Sequence, residues 1–338
     1  GVAGPVGPQG PQGLQGPAGA TGPQGPTGPS GTAVPPLTNI GTLTLGNLVA
    51  AAPIFTFAQR IDVPSSIHSA TGAGSGKVTA SDIQISRTSD QQSPLVALLA
   101  AQATAVQTAT IVLANGAFQI VLNDVFVNQV GTASTQNSVP VETLSLSFGK
   151  VTWTYTAQNP DGSSGASVVA TYDGEGDSSS GGGFTPKFVF FGAGVDQSQF
   201  ADQTPFSSLA LQLTNSATSQ AGTGAGSASS SATPVTLVTS VSGQTIGQFG
   251  TAVQGSILPS VLAHFTALAP AIGQTVDRLR YEMTNVQVTS VEITTTSAGA
   301  LQESLGLDFT KIKWTAQSLT GGADVVATWN FNSQAPSH

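Results

Sequence analysis

Residues 142–153, ETLSLSFGKVTW, are the most informative stretch for the fold, because a related stretch occurs a second time in the chain. Residues 303–314 read ESLGLDFTKIKW, in which glutamate, leucine, phenylalanine, lysine and tryptophan return at the same spacing. The match extends upstream without a gap, so that residues 118–153 align on residues 279–314 with ten of 36 positions identical. Self-similarity of this kind indicates a tandem duplication of one folding unit.

Each copy has the pattern of a β-sheet protein. Leu144, Leu146 and Phe148 alternate with polar residues, which is typical of a strand with one buried face. After a Pro-Asp-Gly turn, the β-prone run GASVVATYD at 165–173 returns as GADVVATWN at 322–330. The sequence therefore predicts mainly β structure in both copies.

One short helix is expected in each copy. In the first copy, Ser93 as N-cap and Pro94 at the first helical position favour a helix start. The counterpart in the second copy is weaker and is placed at 247–257. The uncharged stretch 91–123 has the length of a membrane span, but five glutamine and threonine residues between 102 and 110 interrupt it. A short buried helix followed by a buried strand is therefore predicted there.

Composition excludes some functions. Only 8% of the residues are charged and the net charge is −8, with nine scattered lysines and arginines. Binding of nucleic-acid phosphates needs clustered basic residues, so a nucleic-acid partner is not expected. The chain has no cysteine, which excludes disulfides and thiolate sites.

The N-terminus follows a different rule. Glycine occupies every third position from Gly1 to Gly31, eleven times without a break, and proline fills seven of the eleven positions that follow these glycines. Only a triple helix of three chains requires glycine at this period. Residues 1–33 are therefore predicted to be a collagen-like Gly-X-Y arm, of a bacterial kind because no proline occupies the Y position. A rod of that length would measure about 100 Å.

The duplicated unit resembles a known family. The run ASDIQISRTSDQQSPLVALLAAQ, then FQIVLNDVFVNQV, and above all residues 142–156 are similar to Hcp, the haemolysin-coregulated protein that forms the tube of type VI secretion systems. The resemblance covers most of residues 55–175, and the second copy is recognised through its match to the first. It implies a small β-barrel with one helix, a hexameric ring of such barrels, and rings that stack into a hollow tube.

These observations predict a fold class and three domains. The class is mainly β: a collagen-like triple-helix arm followed by two tandem Hcp-like β-barrel domains, each with one short helix. The arm spans 1–33, the first barrel domain 34–180 and the second 181–338. The segment GEGDSSSGGG at 174–183 is expected to be a flexible tether between the barrels.

No catalytic, cofactor-binding or metal-binding residues are predicted, and the chain is not expected to be an enzyme. The three histidines share no motif with a nucleophile. The glycine-rich stretch 71–78 lacks the first glycine and the final serine or threonine of a phosphate loop. Asp173, Glu175 and Asp177 have the spacing of calcium ligands, but the glycine and the final glutamate of a calcium loop are missing.

Two repeated features are expected to be structural. Glu142 with Lys150, and Glu303 with Lys311, are predicted to form structural or inter-subunit ion pairs because the spacing is the same in both copies. Trp153 is predicted to anchor a core or an interface, as is its repeat equivalent.

The predicted function combines the arm with the repeat. A collagen arm requires three chains, and three chains with two barrels each supply six barrels. Six barrels are the number that the resemblance to Hcp implies for one ring. The protein is therefore expected to be a structural subunit that forms a homotrimer, a pseudo-hexameric ring and a stacked extracellular filament, with the arm linking neighbouring rings. The predicted partner is the chain itself, with no small-molecule substrate and no membrane span. Because the sequence starts at Gly1 and not at methionine, secretion after removal of a leader is expected. Two alternatives remain, a collagen-stalked trimeric adhesin and a component of a type VI secretion tube.

Overall fold

The computed structural model consists of two units, residues 1–36 and residues 37–338. The described residues are 1–10, 37–65, 67–68, 77–134, 139–174, 178–182, 188–192, 204–215, 229–269, 274–318, 323–333 and 335–336. Residues 1–10 are exposed and contain no helix or strand. The rest of the predicted collagen-like arm lies outside the described residues, so the triple helix stays a prediction.

Strands dominate the second unit, as the sequence pattern predicts. The first repeat contains β1 (Gly41–Leu45), β2 (Val49–Asp62), β3 (Thr79–Ala80), β4 (Ile83–Thr88), β5 (Val106–Leu113), β6 (Phe118–Ala133), β7 (Val141–Ser147), β8 (Lys150–Gln158), β9 (Ser164–Asp173) and β10 (Ser178–Gly182). The second repeat contains β11 (Val189–Gly192), β12 (Thr204–Ala210), β13 (Leu213–Asn215), β14 (Ser230–Ala232), β15 (Val235–Ser240), β16 (Ile257–Ala269), β17 (Gln274–Thr295), β18 (Leu301–Ala316), β19 (Val325–Asn330) and β20 (Ala335–Pro336). Helix α1 (Ser93–Gln102) and a 3₁₀ turn (Ala114–Gly116) belong to the first repeat, and α2 (Gly243–Val253) to the second.

Six strands of the first repeat close into a barrel. The pairing runs from β1 to β2, β4, β7 and β6, and then through β5 back to β1. Strand β6 takes part twice because its first half pairs with β5 and its second half with β7. Strands β8 and β9 extend the sheet from β6.

The second repeat also closes with six strands, but one of them differs in direction. The pairing runs from β12 to β15, β18, β17 and β16, and then through β11 back to β12. Strand β11 is parallel to both neighbours, whereas β1 in the first barrel is antiparallel to both. A three-residue turn joins β1 to β2, and only an antiparallel pair can be joined by so short a connection. The duplication therefore preserves the barrel and not every strand direction.

The repeated stretch forms equivalent strands in the two barrels. Leu144 and Leu146 of β7 are fully buried, as are Leu305 and Leu307 of β18. Alternating side chains from these strands fill the barrel interiors, where each buried leucine contributes about 1.5–3 kcal/mol. The prediction of half-buried strands in both copies is confirmed.

A backbone feature is repeated too. Asp124 and Asn285, which are equivalent in the alignment, both have positive φ, 54° and 50°. Aspartate and asparagine tolerate this left-handed conformation better than most residues. The duplication has therefore kept a special turn of the chain within β6 and β17.

Both predicted helices exist, but their starts differ from the prediction. Helix α1 has Gln92, and not Ser93, at its N-cap, because the Ser93 hydroxyl accepts instead from the Asp90 amide. Helix α2 begins at Gly243, earlier than predicted, because Ser242 forms a capping box with Thr245. Within the described part of the chain, neither helix is long and apolar enough to cross a membrane.

The expected flexible tether is partly wrong. Residues Ser178–Gly182 form β10, which pairs antiparallel with β9. The backbone of this serine- and glycine-rich segment thereby satisfies its hydrogen bonds on a free sheet edge. Its composition predicts flexibility because sequence alone does not show that a partner strand is available.

Candidate functional site

The junction between the two barrels is the most distinctive site of the molecule. Residues 58–62 of β2 pair antiparallel with residues 290–294 of β17, so the sheet of one barrel continues into the other. This backbone ladder brings the described residues after position 36 into one compact unit. Because β2 comes from the first repeat and β17 from the second, the ladder joins two copies of the same folding unit.

Side chains reinforce the ladder at its exposed surface. The Arg60 guanidinium lies 2.7 Å from the Asp62 carboxylate and 3.3 Å from the Glu292 carboxylate of the opposite strand. These side chains are between a third and a half exposed, so solvent screens the pairs and each contributes at most about 1 kcal/mol. The Thr295 hydroxyl bonds to both the amide and the carbonyl of Phe57. The ladder itself, and not the ion pairs, is the main polar contact.

Helix α2 provides the apolar part of the junction. Phe249 of α2 stacks on Trp153 of the first barrel, with ring centroids 4.6 Å apart and an angle of 16° between the planes. The Trp153 indole N–H donates to the Gln59 side-chain oxygen at 2.8 Å, so the buried ring has its polar atom satisfied. The prediction that Trp153 anchors a core or interface is confirmed.

Small residues bring α2 close to the first barrel. A Cβ placed on Gly243 would lie 3.2 Å from the Tyr155 ring, and one on Gly250 would contact the Ala170 methyl group. Tyr155 and Ala170 belong to β8 and β9, so the second repeat's helix lies against the first repeat's sheet. The whole of α2 from Thr245 to Val253 is buried.

A second cross-barrel contact involves the loop after β2. His68 Nε2 lies 3.0 Å from Asp308 Oδ1, and its Nδ1 lies 3.0 Å from Asn332 Oδ1. The Ser65 hydroxyl donates to the other oxygen of Asp308. This serine bonds to the carboxylate and not to the imidazole, so the group does not have the arrangement of a hydrolytic triad.

Glu142 forms a buried ion pair, but with a different partner from the predicted one. Arg87, which is fully buried, donates from Nε to Glu142 Oε2 at 3.0 Å. Its other nitrogens bond to Asp90 and Ser93 at the start of α1. The prediction of Lys150 as partner is wrong, because β4, and not β8, lies beside Glu142 in the barrel.

Glu303 occupies the same position in the second barrel without that cation. Thr239 stands opposite Glu303 where Arg87 stands opposite Glu142. The carboxylate accepts hydrogen bonds from the hydroxyls of Thr239 at 3.1 Å and Thr245 at 2.7 Å. It also accepts from the side-chain amide of Gln248 when the amide nitrogen faces the carboxylate. Burial raises the pKa of Glu303 to about 7, and the two hydroxyl bonds oppose that rise only in part. The prediction of a Glu303–Lys311 pair is wrong as well.

Two features of the site were not predicted from the sequence: the buried Arg87, and the packing of α2 against the sheet of the first barrel. Arg87 offers a signal, since a lone cation in the alternating strand Ile83–Thr88 must either be exposed or have a buried partner. The position of α2 on the neighbouring barrel offers no such signal, because it depends on how the two barrels are joined.

Chemistry-bearing residues do not converge elsewhere in the described ranges. No group of three or more histidine, aspartate and glutamate side chains able to hold a metal is found among them. His264 lies 2.8 Å from Asp277 on the paired strands β16 and β17. Residues 71–76, residues 175–177 and His338, which carry the remaining sequence motifs, lie outside the described residues.

The fold and the junction define a class of protein: two small β-barrels fused side by side through a shared sheet and a packed helix. The family model for the type VI secretion system effector Hcp matches residues 52–155 and again residues 192–316. The two matches cover more than half of the chain, which therefore belongs to the Hcp family.

Solved structures give related comparisons. A type six secretion system protein is 18% identical with a TM-score of 0.39, covering 42% of this chain and 100% of its own. Hcp1 from Salmonella typhimurium is 19% identical with a TM-score of 0.34, over 41% of this chain and 97% of its own. A type VI secretion system effector from Yersinia pestis is 21% identical with a TM-score of 0.31, over 39% and 98%. A comparison with curated proteins finds no match.

Proposed function

We propose that the chain is the structural subunit of a self-assembling extracellular filament or tube. The observation that carries the proposal is the junction, where two barrels of the Hcp family pair strand to strand and pack helix on sheet within one chain. Family membership supports a secreted structural role in a tube. The domain boundaries 34–180 and 181–338 are proposed on the same basis.

The proposed assembly contains three chains. Eleven glycines at strict three-residue spacing are typical of a three-stranded helix, and three chains would supply six barrels for one ring. Rings with two different faces stack head to tail, and a contact that does not close produces a filament. The collagen-like arm links neighbouring rings.

Negative-stain electron microscopy of native material, with mass measurement of the smallest stable unit, tests this assembly. Stacked rings that dissociate into trimers are expected. Isolated trimers with a free stalk would refute the filament, and hexamers of whole chains would refute the three-chain ring.

The role of the arm has its own test. Gly16→Ala interrupts the predicted triple helix at its central glycine, and a single such change disrupts a triple helix locally. We expect the melting temperature of the arm, measured by circular dichroism, to be lower in this variant. The control Gln15→Ala, at a Y position, should leave that melting temperature nearly unchanged. Equal melting of the two variants would argue against a triple helix.

A second candidate is a component of a type VI secretion tube, which the family match favours. A triple helix on the ring axis would obstruct a transport lumen. Collagenase treatment of assembled material separates the two candidates, because a filament linked by arms shortens and a tube held by its rings alone does not.

A further inference from the structure

Helix α1 presents an uncovered apolar face to solvent. Leu95 is 44% exposed and Leu98 is 49% exposed, and only Val96 and Leu99 are buried. Its counterpart α2 is buried from Thr245 to Val253 because it lies between two barrels. A helix that is apolar all round is normally covered on all sides, so α1 lacks the neighbour that α2 has.

The second barrel carries the matching uncovered surface. Helix α2 rests near Val168 and Ala170 of β9, and the repeat makes Val325 and Ala327 of β19 their equivalents. Ala170 is 1% exposed, whereas its equivalent Ala327 is exposed. Val168 is half-buried, whereas its equivalent Val325 is 71% exposed. Among the described residues, a helix rests at this position in the first barrel and none rests at the equivalent position in the second.

The strand edges that form the junction also have equivalents at the two ends of the chain. In the alignment of the repeats, residues 129–133 of β6 are equivalent to residues 290–294 of β17. The register of β12 with β15 makes residues 210–214 equivalent to residues 58–62 of β2. Residues 129–133 pair on one side with β7, and no described strand pairs with their other side. At the other end, Leu213 and Thr214 pair with β14 on one side, as Ile61 and Asp62 pair with β3, and no described strand pairs with the other side of residues 210–214. Each end of the chain thus has one sheet edge without a described partner beside one uncovered apolar surface.

A single chain cannot bring these two ends together. In the first barrel, β2 and β6 are separated by three strand steps in either direction around the six-strand cycle, so they lie on opposite sides. The same count separates β17 from β12 in the second barrel. The two free ends therefore face away from the junction and from each other.

We propose that α1 of one copy docks on the β18–β19 surface of a second copy, with residues 129–133 and 210–214 pairing alongside. The contact repeats between chains what the junction already does within one chain. It is heterologous, so it closes a ring when three copies complete one turn. This inference rests on the proposed function and specifies which surfaces meet.

Cross-linking of the full chain tests the contact, because the natural sequence contains no cysteine. The double variant Leu98→Cys/Val325→Cys is treated with a bis-maleimide and separated on a denaturing gel. We expect linked dimers and trimers, with bands ending at three chains. The control Leu48→Cys/Val325→Cys, in which Leu48 is 39% exposed at the β1–β2 turn, is expected to give at least tenfold less trimer.

The possible outcomes distinguish a failure of the α1 contact from a failure of self-assembly. Rings that form normally while the Leu98 and Leu48 pairs cross-link equally would overturn the α1 contact and leave self-assembly intact. A natural chain that remains monomeric in mass measurements would overturn self-assembly itself, and the contact with it. A Leu98→Asp variant that retains its circular dichroism spectrum and still forms rings at the natural concentration would also overturn the contact.

Discussion

Replacement of Glu303 by glutamine is the sharpest test of the structure, because the two barrels place the same carboxylate in different surroundings. Glu303 is fully buried without a cation, and its pKa rises from 4.5 to about 7. Between these values the folded protein holds a proton that the unfolded chain releases. The stabilising contribution is thus fully present below pH 4.5 and is lost as the pH rises to about 7, by about 1.4 kcal/mol per pH unit and about 3 kcal/mol in total.

Glu303→Gln removes this titration while retaining the shape of the protonated acid. Urea unfolding of the natural protein and the variant at pH 5 and pH 8 measures the effect. We expect the two to be similar at pH 5 and the variant to be more stable at pH 8 by about 2–3 kcal/mol. The matched control is Glu142→Gln, which breaks the buried pair with Arg87 and should destabilise the protein by about 3–5 kcal/mol at pH 8. If Glu303→Gln is as destabilising at pH 8 as this control, the raised pKa of Glu303 is wrong.

Three further substitutions test other parts of the fold by urea unfolding. Arg87→Met leaves Glu142 buried without its cation and should cost about 3–5 kcal/mol, and a loss below 1 kcal/mol would contradict the buried pair. Phe249→Ala removes the ring stacked on Trp153 and should lower the free energy of unfolding by about 3–5 kcal/mol. A double-mutant cycle with Trp153→Ala should give a coupling energy of about 1 kcal/mol, and zero coupling would refute the stack. Gly41→Ala places a methyl group against the backbone carbonyl of the neighbouring strand β5 and should destabilise the first barrel, and a neutral result would show that the β1–β5 contact is looser than described.

The class of fold and the duplication could both be predicted from the amino-acid sequence. Alternating leucines at 144 and 146, and their equivalents at 305 and 307, specify strands with one buried face whatever the tertiary context. The start of α1 was predictable to within one residue, because Pro94 fixes the first turn locally. The strict glycine period predicts three chains, since no other structure requires it.

The side-chain and strand partners, in contrast, depend on the tertiary structure. Glu142 bonds to Arg87, 55 positions away in sequence, and strand register sets that neighbour. Likewise, β10 becomes a strand because β9 offers a free edge, and α2 is buried because the first barrel lies against it. Local patterns record which face of a strand or helix is apolar, but the identity of the surface that covers it depends on how closed barrels are placed side by side.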